Sequence, residues 1–262
     1  MSKPSFSATL ALTAGGAGGN GKTTMSVLFA DYLVSRHFKA TFIDCDTENA
    51  GDAKAFSHWL QGKGNTLDLR DPDDRDKLIT GSANTGVQIV LADLPANSTG
   101  DLSRWLTEVA TVELLREAGL NVVAICMVVP GYGGAQSAVK WIRTLGKRAS
   151  YLVCLNRIHH EMKPRPTKVV FNDWFTGALP ELVPGVVSPE RIHVIEIPNM
   201  ERHGMDALIE QGTLPSKAVE KGAAGLHLLH KQRVKTWRDA VHAQLDDTGL
   251  FAAKETKESV PA

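Results

Sequence analysis

Apolar positions along the chain fall into blocks of two kinds. Residues 6–13 (FSATLALT), 40–45 (ATFIDC), 87–93 (VQIVLAD), 121–129 (NVVAICMVV), 150–155 (SYLVCL) and 192–197 (IHVIEI) are short, nearly continuous apolar runs rich in β-branched residues. Runs of that length and composition read as strands buried on both faces. A shorter strand is expected at 66–70. Between them, residues 22–36 (KTTMSVLFADYLVSR), 52–61, 101–118, 134–147, 167–178 and 226–245 repeat their apolar positions at the helical period. Buried strands alternating with helices define the α/β class. The pattern predicts a single doubly wound, mostly parallel sheet with helices on both faces.

No internal repeat and no low-complexity linker interrupts the pattern, so one domain is expected over 1–245. Residues 246–262 (DDTGLFAAKETKESVPA) read as a polar tail expected to fray. The 262 residues are 43% hydrophobic and 22% charged, which suits a globular chain able to bury a sizeable core. Twenty-nine acidic and 29 basic residues cancel, so no global field draws the chain to nucleic acid or anionic membranes.

The three cysteines, Cys45, Cys126 and Cys154, form no CxxC pair. That argues against a disulfide framework, a zinc site and iron–sulfur ligation, and it fits a reducing cytoplasm, the expected location. Cys126 and Cys154 lie in apolar runs and read as small core residues. The start, MSKPSFSATLALTAGG, has some features of a secretory leader. Its apolar run is brief and broken by Ser and Thr, and cleavage would delete the first strand. No apolar stretch approaches the roughly 20 residues of a membrane span.

The chemistry begins where the first strand ends. Residues 11–24 (ALTAGGAGGNGKTT) contain Gly16-x4-Gly21-Lys22-Thr23 between a predicted strand and a predicted helix. A diphosphate needs several donors converging on its oxygens. Backbone amides supply them when the chain curls tightly, which glycine permits. The helix that follows adds its free N–H groups and dipole. Lys22 brings a mobile cation to the β- and γ-phosphates, and Thr23 a hydroxyl for Mg²⁺. The simpler alternative is a glycine-rich turn that happens to precede a helix.

Two acidic sites lie at other predicted strand ends, where ligands collect in such sheets. TFIDCDTENAG carries Asp44 and Asp46, and VQIVLADLPANS carries Asp93 and Pro95. An aspartate ending a buried strand beside a phosphate loop can hold Mg²⁺ through water, and a second can orient the attacking water. Taken alone, each could instead be a strand-end or helix-capping aspartate.

With these residues in view, the chain resembles the ParA/MinD-type ATPases with a deviant phosphate loop, over most of residues 6–215. GAGGNGKTT (16–24) is similar to their GKGGxGKTT, IDCD (43–46) to their D-x-D, and LADLPAN (91–97) to their D-x-P segment. CLNRI (154–158) and IEIPNMERHGMDALIEQGTLP (195–215) are weaker matches. The resemblance implies ATP and Mg²⁺ as ligands, an ATP-dependent homodimer, slow hydrolysis and an activating partner protein. By position it makes Lys22 and Asp46 catalytic. It gives Mg²⁺ to Thr23 and, through water, Asp93, with Asp44 in support. It assigns nucleotide binding to Gly16, Ala17, Gly18, Gly19, Asn20, Gly21, Lys22, Thr23 and Thr24. It also assigns Asn156, as the adenine reader, with Arg157 and Pro198. Such proteins position cargo, and plasmid partition, plasmid stability or conjugative transfer is the setting expected here.

The sequence departs from the pattern at Ala17, where the family carries a lysine that reaches the partner's phosphates across the dimer. Three readings stay open: very slow or absent turnover, substitution by another cation (Lys140, Lys147, Arg157 or Arg165), or a charge supplied by a partner protein. Compensation or slow turnover is favoured, because Lys22, Thr23, Asp46 and Asp93 are all present. The other function classes are a non-hydrolysing nucleotide-dependent interaction protein and an ATP-dependent ligase or synthetase on a related scaffold. No guanine-reading N-K-x-D follows a strand, since Asn156 precedes Arg-Ile-His.

Two basic segments invite a partner. RIHHEMKPRPTK (157–168) could touch DNA or protein, or be a solvated loop. His159 and His160 are adjacent, which is poor spacing for two metal ligands. In 226–245 a stripe of Leu226, Leu229, Arg233, Trp237, Val241 and Leu245 leaves Lys231, Lys235 and Arg238 off it. The simpler reading is a helix packed on the sheet, and the polar tail behind it argues against a membrane anchor. Non-specific DNA binding through Lys217, Lys221, Lys231, Arg233 and Lys235 remains a hypothesis.

Overall fold

The computed structural model describes residues 8–14, 18–49, 52–82, 86–96, 99–108, 110–131, 133–158 and 165–251. Seven strands form one parallel sheet: β1 (Ala8–Ala14), β2 (Ala40–Asp44), β3 (Asn65–Thr66), β4 (Ile89–Asp93), β5 (Leu120–Val128), β6 (Ser150–Asn156) and β7 (Ile192–Ile197). Their order is β3-β2-β4-β1-β5-β6-β7. The helices are α1 (Lys22–Ser35), α2 (Phe56–Trp59), α3 (Pro72–Ser82), α4 (Thr99–Glu108), α5 (Thr111–Glu117), α6 (Gln136–Leu145), α7 (Thr167–Val170), α8 (Leu179–Leu182), α9 (Arg202–Gln211), α10 (Pro215–Ala218) and α11 (Leu228–Thr248).

Alternate residues of each strand feed two cores. Leu10, Leu12, Val90, Ala92, Val122 and Ala124 pack with α4, α5 and α6, including the fully buried Trp141. Ala11, Leu91, Val123, Ile125 and Leu152 pack on the opposite face with α1, α2, α9 and α11. α1 is covered all round: Met25 through Leu33 are buried without a break. This explains why its sequence shows almost no polar face.

The predicted strands stand within one or two residues of their expected ends, apart from β3, which shrinks to two residues before a turn. Helical expectations change in several places, among them 167–178, where only Thr167–Val170 is α-helix. The single helix expected at 101–118 is two, broken where Ala110 takes a left-handed φ of 50°. The 52–61 helix contracts to α2, and α3 forms over a polar, Asp-rich segment with no apolar stripe to announce it.

The last helix also differs. Its buried stripe is Val234, Trp237, Val241 and Leu245, while Leu229 is exposed. The helix runs on to Thr248, past the expected boundary at 245. Tyr32 of α1 and Arg36 just after that helix both donate to the Asp246 carboxylate, and the buried Phe251 ring meets Phe29 at 4.5 Å. Residues 246–251 therefore belong to the domain, and the remainder of the expected tail lies outside the described residues.

Candidate functional site

The parallel register sets Thr13 beside Asp93, and Asp93 beside Asp44, at the carboxyl ends of β1, β4 and β2. The glycine turn leaves β1 at this edge. Gly19 and Gly21 take φ of 80° and 86°, and a Cβ on Gly21 would sit 2.3 Å from Asn156 Nδ2. Both conformation and space therefore require glycine at 21. Met25 N–H is bonded to the Gly21 carbonyl. The amides before it are the N-terminal donors of α1, at the positive end of its dipole. Gly16 and Ala17 lie outside the described residues.

Asp93 is the buried centre of the site. Its Oδ2 accepts the Thr23 hydroxyl at 2.8 Å and its Oδ1 the Ser26 hydroxyl at 2.7 Å. Ser26 and Thr13 hydroxyls are 2.7 Å apart. Burial pushes the Asp93 carboxyl up to about 7, against the pull of those two hydroxyls. Burial also lowers the pKa of the Lys22 ammonium, opposed by the nearby Asp93 and Asp46 charges. A hydroxyl and a carboxylate at the foot of an anion-binding turn form an all-oxygen donor set that suits a hard divalent cation such as Mg²⁺.

Asp44 anchors the chain beside the site. Its Oδ1 accepts the Asp46 amide at 3.0 Å and its Oδ2 the Ser57 amide at 2.8 Å. Both oxygens thus fasten the loop between β2 and α2, and what this sets in place is Asp46. Asp46, Lys22, Thr23 and Asp93 all line one cleft of about 350 Å³. Val27, Phe56, Trp59, Leu208, Ile209 and Trp237 line the same cleft.

Asn156, Arg157 and Pro198, assigned to nucleotide binding, are not among the residues that line this cleft. Asn156 donates Nδ2 to the Asn20 carbonyl at 3.0 Å, beneath the loop. Arg157 is ion-paired with Glu196 and donates to the Arg165 carbonyl at 3.0 Å. It ties β6 to β7 and to the segment before α7. The Pro198 carbonyl accepts Trp237 Nε1 at 2.9 Å.

None of the cations considered in place of the absent lysine lines the cleft. Lys140 lines a separate groove with Arg143 and Glu181, Lys147 sits in the turn before β6 at the opposite edge of the sheet, and Arg157 is paired. Lys54, which the sequence reading passed over, does line the cleft. Ser26 was also missed, although its place three residues after Thr23 puts it on the same side of α1. Phe56, Trp59 and Trp237 carried no signal beyond core periodicity.

Of the basic set on the last helix, Lys231 donates to the Glu220 and Ala223 carbonyls, Arg233 pairs with Glu201, and Lys235 pairs with Asp239. Arg238 also pairs with Asp239. His159, His160 and Lys163 lie outside the described residues. Among the described residues no helix is long and apolar enough to cross a membrane.

A glycine turn opening a buried helix, a lysine and threonine at its start, and an aspartate on the neighbouring strand together define a phosphate-loop nucleotide-binding protein. Residues 11–202 match the model of the CobQ/CobB/MinD/ParA nucleotide binding domain, and the chain belongs to that family. No curated protein matches it. Among solved structures it is similar to the MinD cell division protein of Aquifex aeolicus, at 17% identity over 91% of this chain and 97% of that one, TM-score 0.48. A nucleotide-binding protein from Archaeoglobus fulgidus in complex with ADP is similar at 18% identity, over 86% of this chain and 94% of that one, TM-score 0.47. Chloroplast FtsY of Physcomitrella patens is similar at 19% identity over 60% of this chain, TM-score 0.41, and the match spans about half of that protein (51%).

Proposed function

We propose that the protein binds ATP with Mg²⁺, hydrolyses it slowly, and pairs with a second copy of itself while ATP is bound. The observation that carries this reading is the buried Asp93 carboxylate gripped by Thr23 and Ser26 beside Lys22. When bound, Mg²⁺ would offset phosphate charge at Thr23, with Asp93 holding its water shell. Among the described residues no three His, Cys, Asp or Glu side chains converge on one point. A cation here would therefore take most of its oxygens from phosphate and water. Lys22 neutralises the β- and γ-phosphates, and Asp46, set in place by Asp44, accepts the hydrogen bond of the attacking water. Turnover is slow because few cations reach the transferred phosphoryl group. An activating partner protein would supply the rest.

The setting we favour is cytoplasmic positioning of cargo, in plasmid partition, plasmid stability or conjugative transfer. The three cysteines are free and buried, as a reducing compartment allows. Non-specific DNA is a weaker ligand in this reading, because Lys231, Arg233 and Lys235 of the basic set are each held by a carbonyl or carboxylate of the chain. Phosphate release from ATP, followed with and without Mg²⁺ in wild type and Asp46→Ala, tests the enzymatic part. Slow, Mg²⁺-dependent release that Asp46→Ala abolishes supports it. Release that Asp46→Ala leaves unchanged contradicts the role of Asp46.

A further inference from the structure

One side of α1 turns two hydroxyls toward the same carboxylate. Thr23 and Ser26 stand three residues apart, on one side of the helix, and each bonds a different oxygen of Asp93. Their settings differ. Thr23 and Asp93 line the cleft, and Ser26 is not among its lining residues. Ser26 is 0% exposed, in a stretch of α1 that is otherwise apolar from Met25 to Ala30. A hydroxyl is costly there unless it is hydrogen-bonded.

A third hydroxyl stands behind the second. Thr13 of β1 is fully buried and pairs with Asp93 of β4 in the sheet register. Its Oγ1 lies 2.7 Å from Ser26 Oγ. A serine hydroxyl has one proton to give, and Ser26 gives it to Asp93 Oδ1. The proton between the two hydroxyls therefore belongs to Thr13. The chain runs one way, from Thr13 to Ser26 to Asp93 Oδ1, and each donor polarises the next. Turning the carboxylate would break these bonds in a space closed to water. Oδ2, on the Thr23 side, is the oxygen left to the cleft.

We infer that Ser26 and Thr13 are positioning residues that set the cation site for Mg²⁺ over Ca²⁺. The inference deepens the proposed function and rests on its cation reading. Neither residue lines the cleft, so both act through Asp93. Mg²⁺ keeps much of its water and demands strict octahedral geometry, whereas Ca²⁺ takes more oxygens and often both from one carboxylate. A carboxylate pinned through Oδ1 suits the first ion and denies the second its bidentate grip.

Equilibrium binding of ADP tests this without metal, with Mg²⁺ and with Ca²⁺, on wild type, Ser26→Ala, Thr13→Val and Thr13→Ser. Binding without metal reports that a variant is folded, and the gain that each cation adds is the readout. In wild type the Mg²⁺ gain should exceed the Ca²⁺ gain. Ser26→Ala should lose about 10–100-fold of the Mg²⁺ gain and keep the Ca²⁺ gain, so the ratio between them falls by the same factor. Thr13→Val should move the ratio the same way by a smaller step. Thr13→Ser, which keeps the hydroxyl, should match wild type. A merely structural Ser26 would lower the melting temperature of Ser26→Ala and leave the Mg²⁺-to-Ca²⁺ ratio unmoved, which overturns the inference. Equal gains from the two cations in wild type overturn it too. So does a wild-type ratio in Thr13→Val, which decides the matter even where Ser26→Ala does not fold. A wild type whose ADP affinity neither cation raises overturns the cation reading itself.

Discussion

Thr23 donates its hydroxyl to Asp93 Oδ2 at 2.8 Å, joining residues 70 positions apart in sequence. Neither residue alone distinguishes a nucleotide site from a capped helix or a strand end. Joined at the foot of the glycine turn, they form the donor pair that a phosphate-bound divalent cation needs. The first prediction follows directly. Asp93→Asn keeps the shape of the side chain and removes the charge. Mg²⁺ should raise the nucleotide affinity of the wild type, and the variant should lose that gain by about 10–100-fold. Titrations with and without Mg²⁺ measure it, and an undiminished Mg²⁺ effect in the variant would refute the assignment.

Asp93 also predicts a pH dependence in the metal-free protein. Its carboxyl titrates near 7 when folded, against 3.8 as the ordinary value. Between roughly pH 4 and 7 the folded chain keeps a proton that the unfolded chain has lost. The Asp93 contribution to stability is therefore full at the acid end of that window and declines as pH rises through 7. Urea unfolding from pH 4.5 to 7.5 should show this slope in wild type and a flatter one in Asp93→Asn. Parallel curves would contradict it.

Gly21 has neither the conformation nor the space for a side chain. Gly21→Ala should cost about 1–3 kcal/mol of stability from the positive φ alone, and it should weaken nucleotide binding by displacing Asn156. Thermal melts and binding on the same sample separate the two effects. Wild-type values for both would mean that the turn is not the site.

Lys54 is the exposed cation on the cleft rim, and its benefit should go to the terminal phosphate. Lys54→Ala should weaken ATP by roughly 1 kcal/mol, about fivefold, and leave ADP unchanged. Equal loss for the two nucleotides would place the lysine elsewhere along the chain of phosphates.

Phe251 lies buried against Phe29, inside the stretch expected to fray. Phe251→Ala should cost about 3 kcal/mol, as for other buried aromatics, which denaturant unfolding reads out. A cost below about 0.5 kcal/mol would restore the boundary at 245.

The sheet was legible because strands buried on both faces write long apolar runs, and the glycine loop because its chemistry is spelled within nine residues, 16–24. What escaped has a common cause: contacts made across distant segments. Ser26 acquires its role only from Asp93, and Asp44 its anchoring role only from the amides of Asp46 and Ser57. Asn156 is assigned to adenine by the family resemblance alone, and its contact with the Asn20 carbonyl, 136 positions away, leaves no trace in the sequence. The helix α3 was missed since its surface is almost wholly polar. The end of α11 was drawn short because Asp246, a polar tail residue in sequence, is the anchor for Tyr32 and Arg36.

The central claim is that the bound nucleotide controls pairing of the chain. Light scattering on wild type and Asp46→Ala, with Mg²⁺-ATP and with Mg²⁺-ADP, tests it most directly. The account predicts a dimer only with ATP, transient in wild type and persistent in Asp46→Ala. The same mass in both nucleotides, for both proteins, would contradict it.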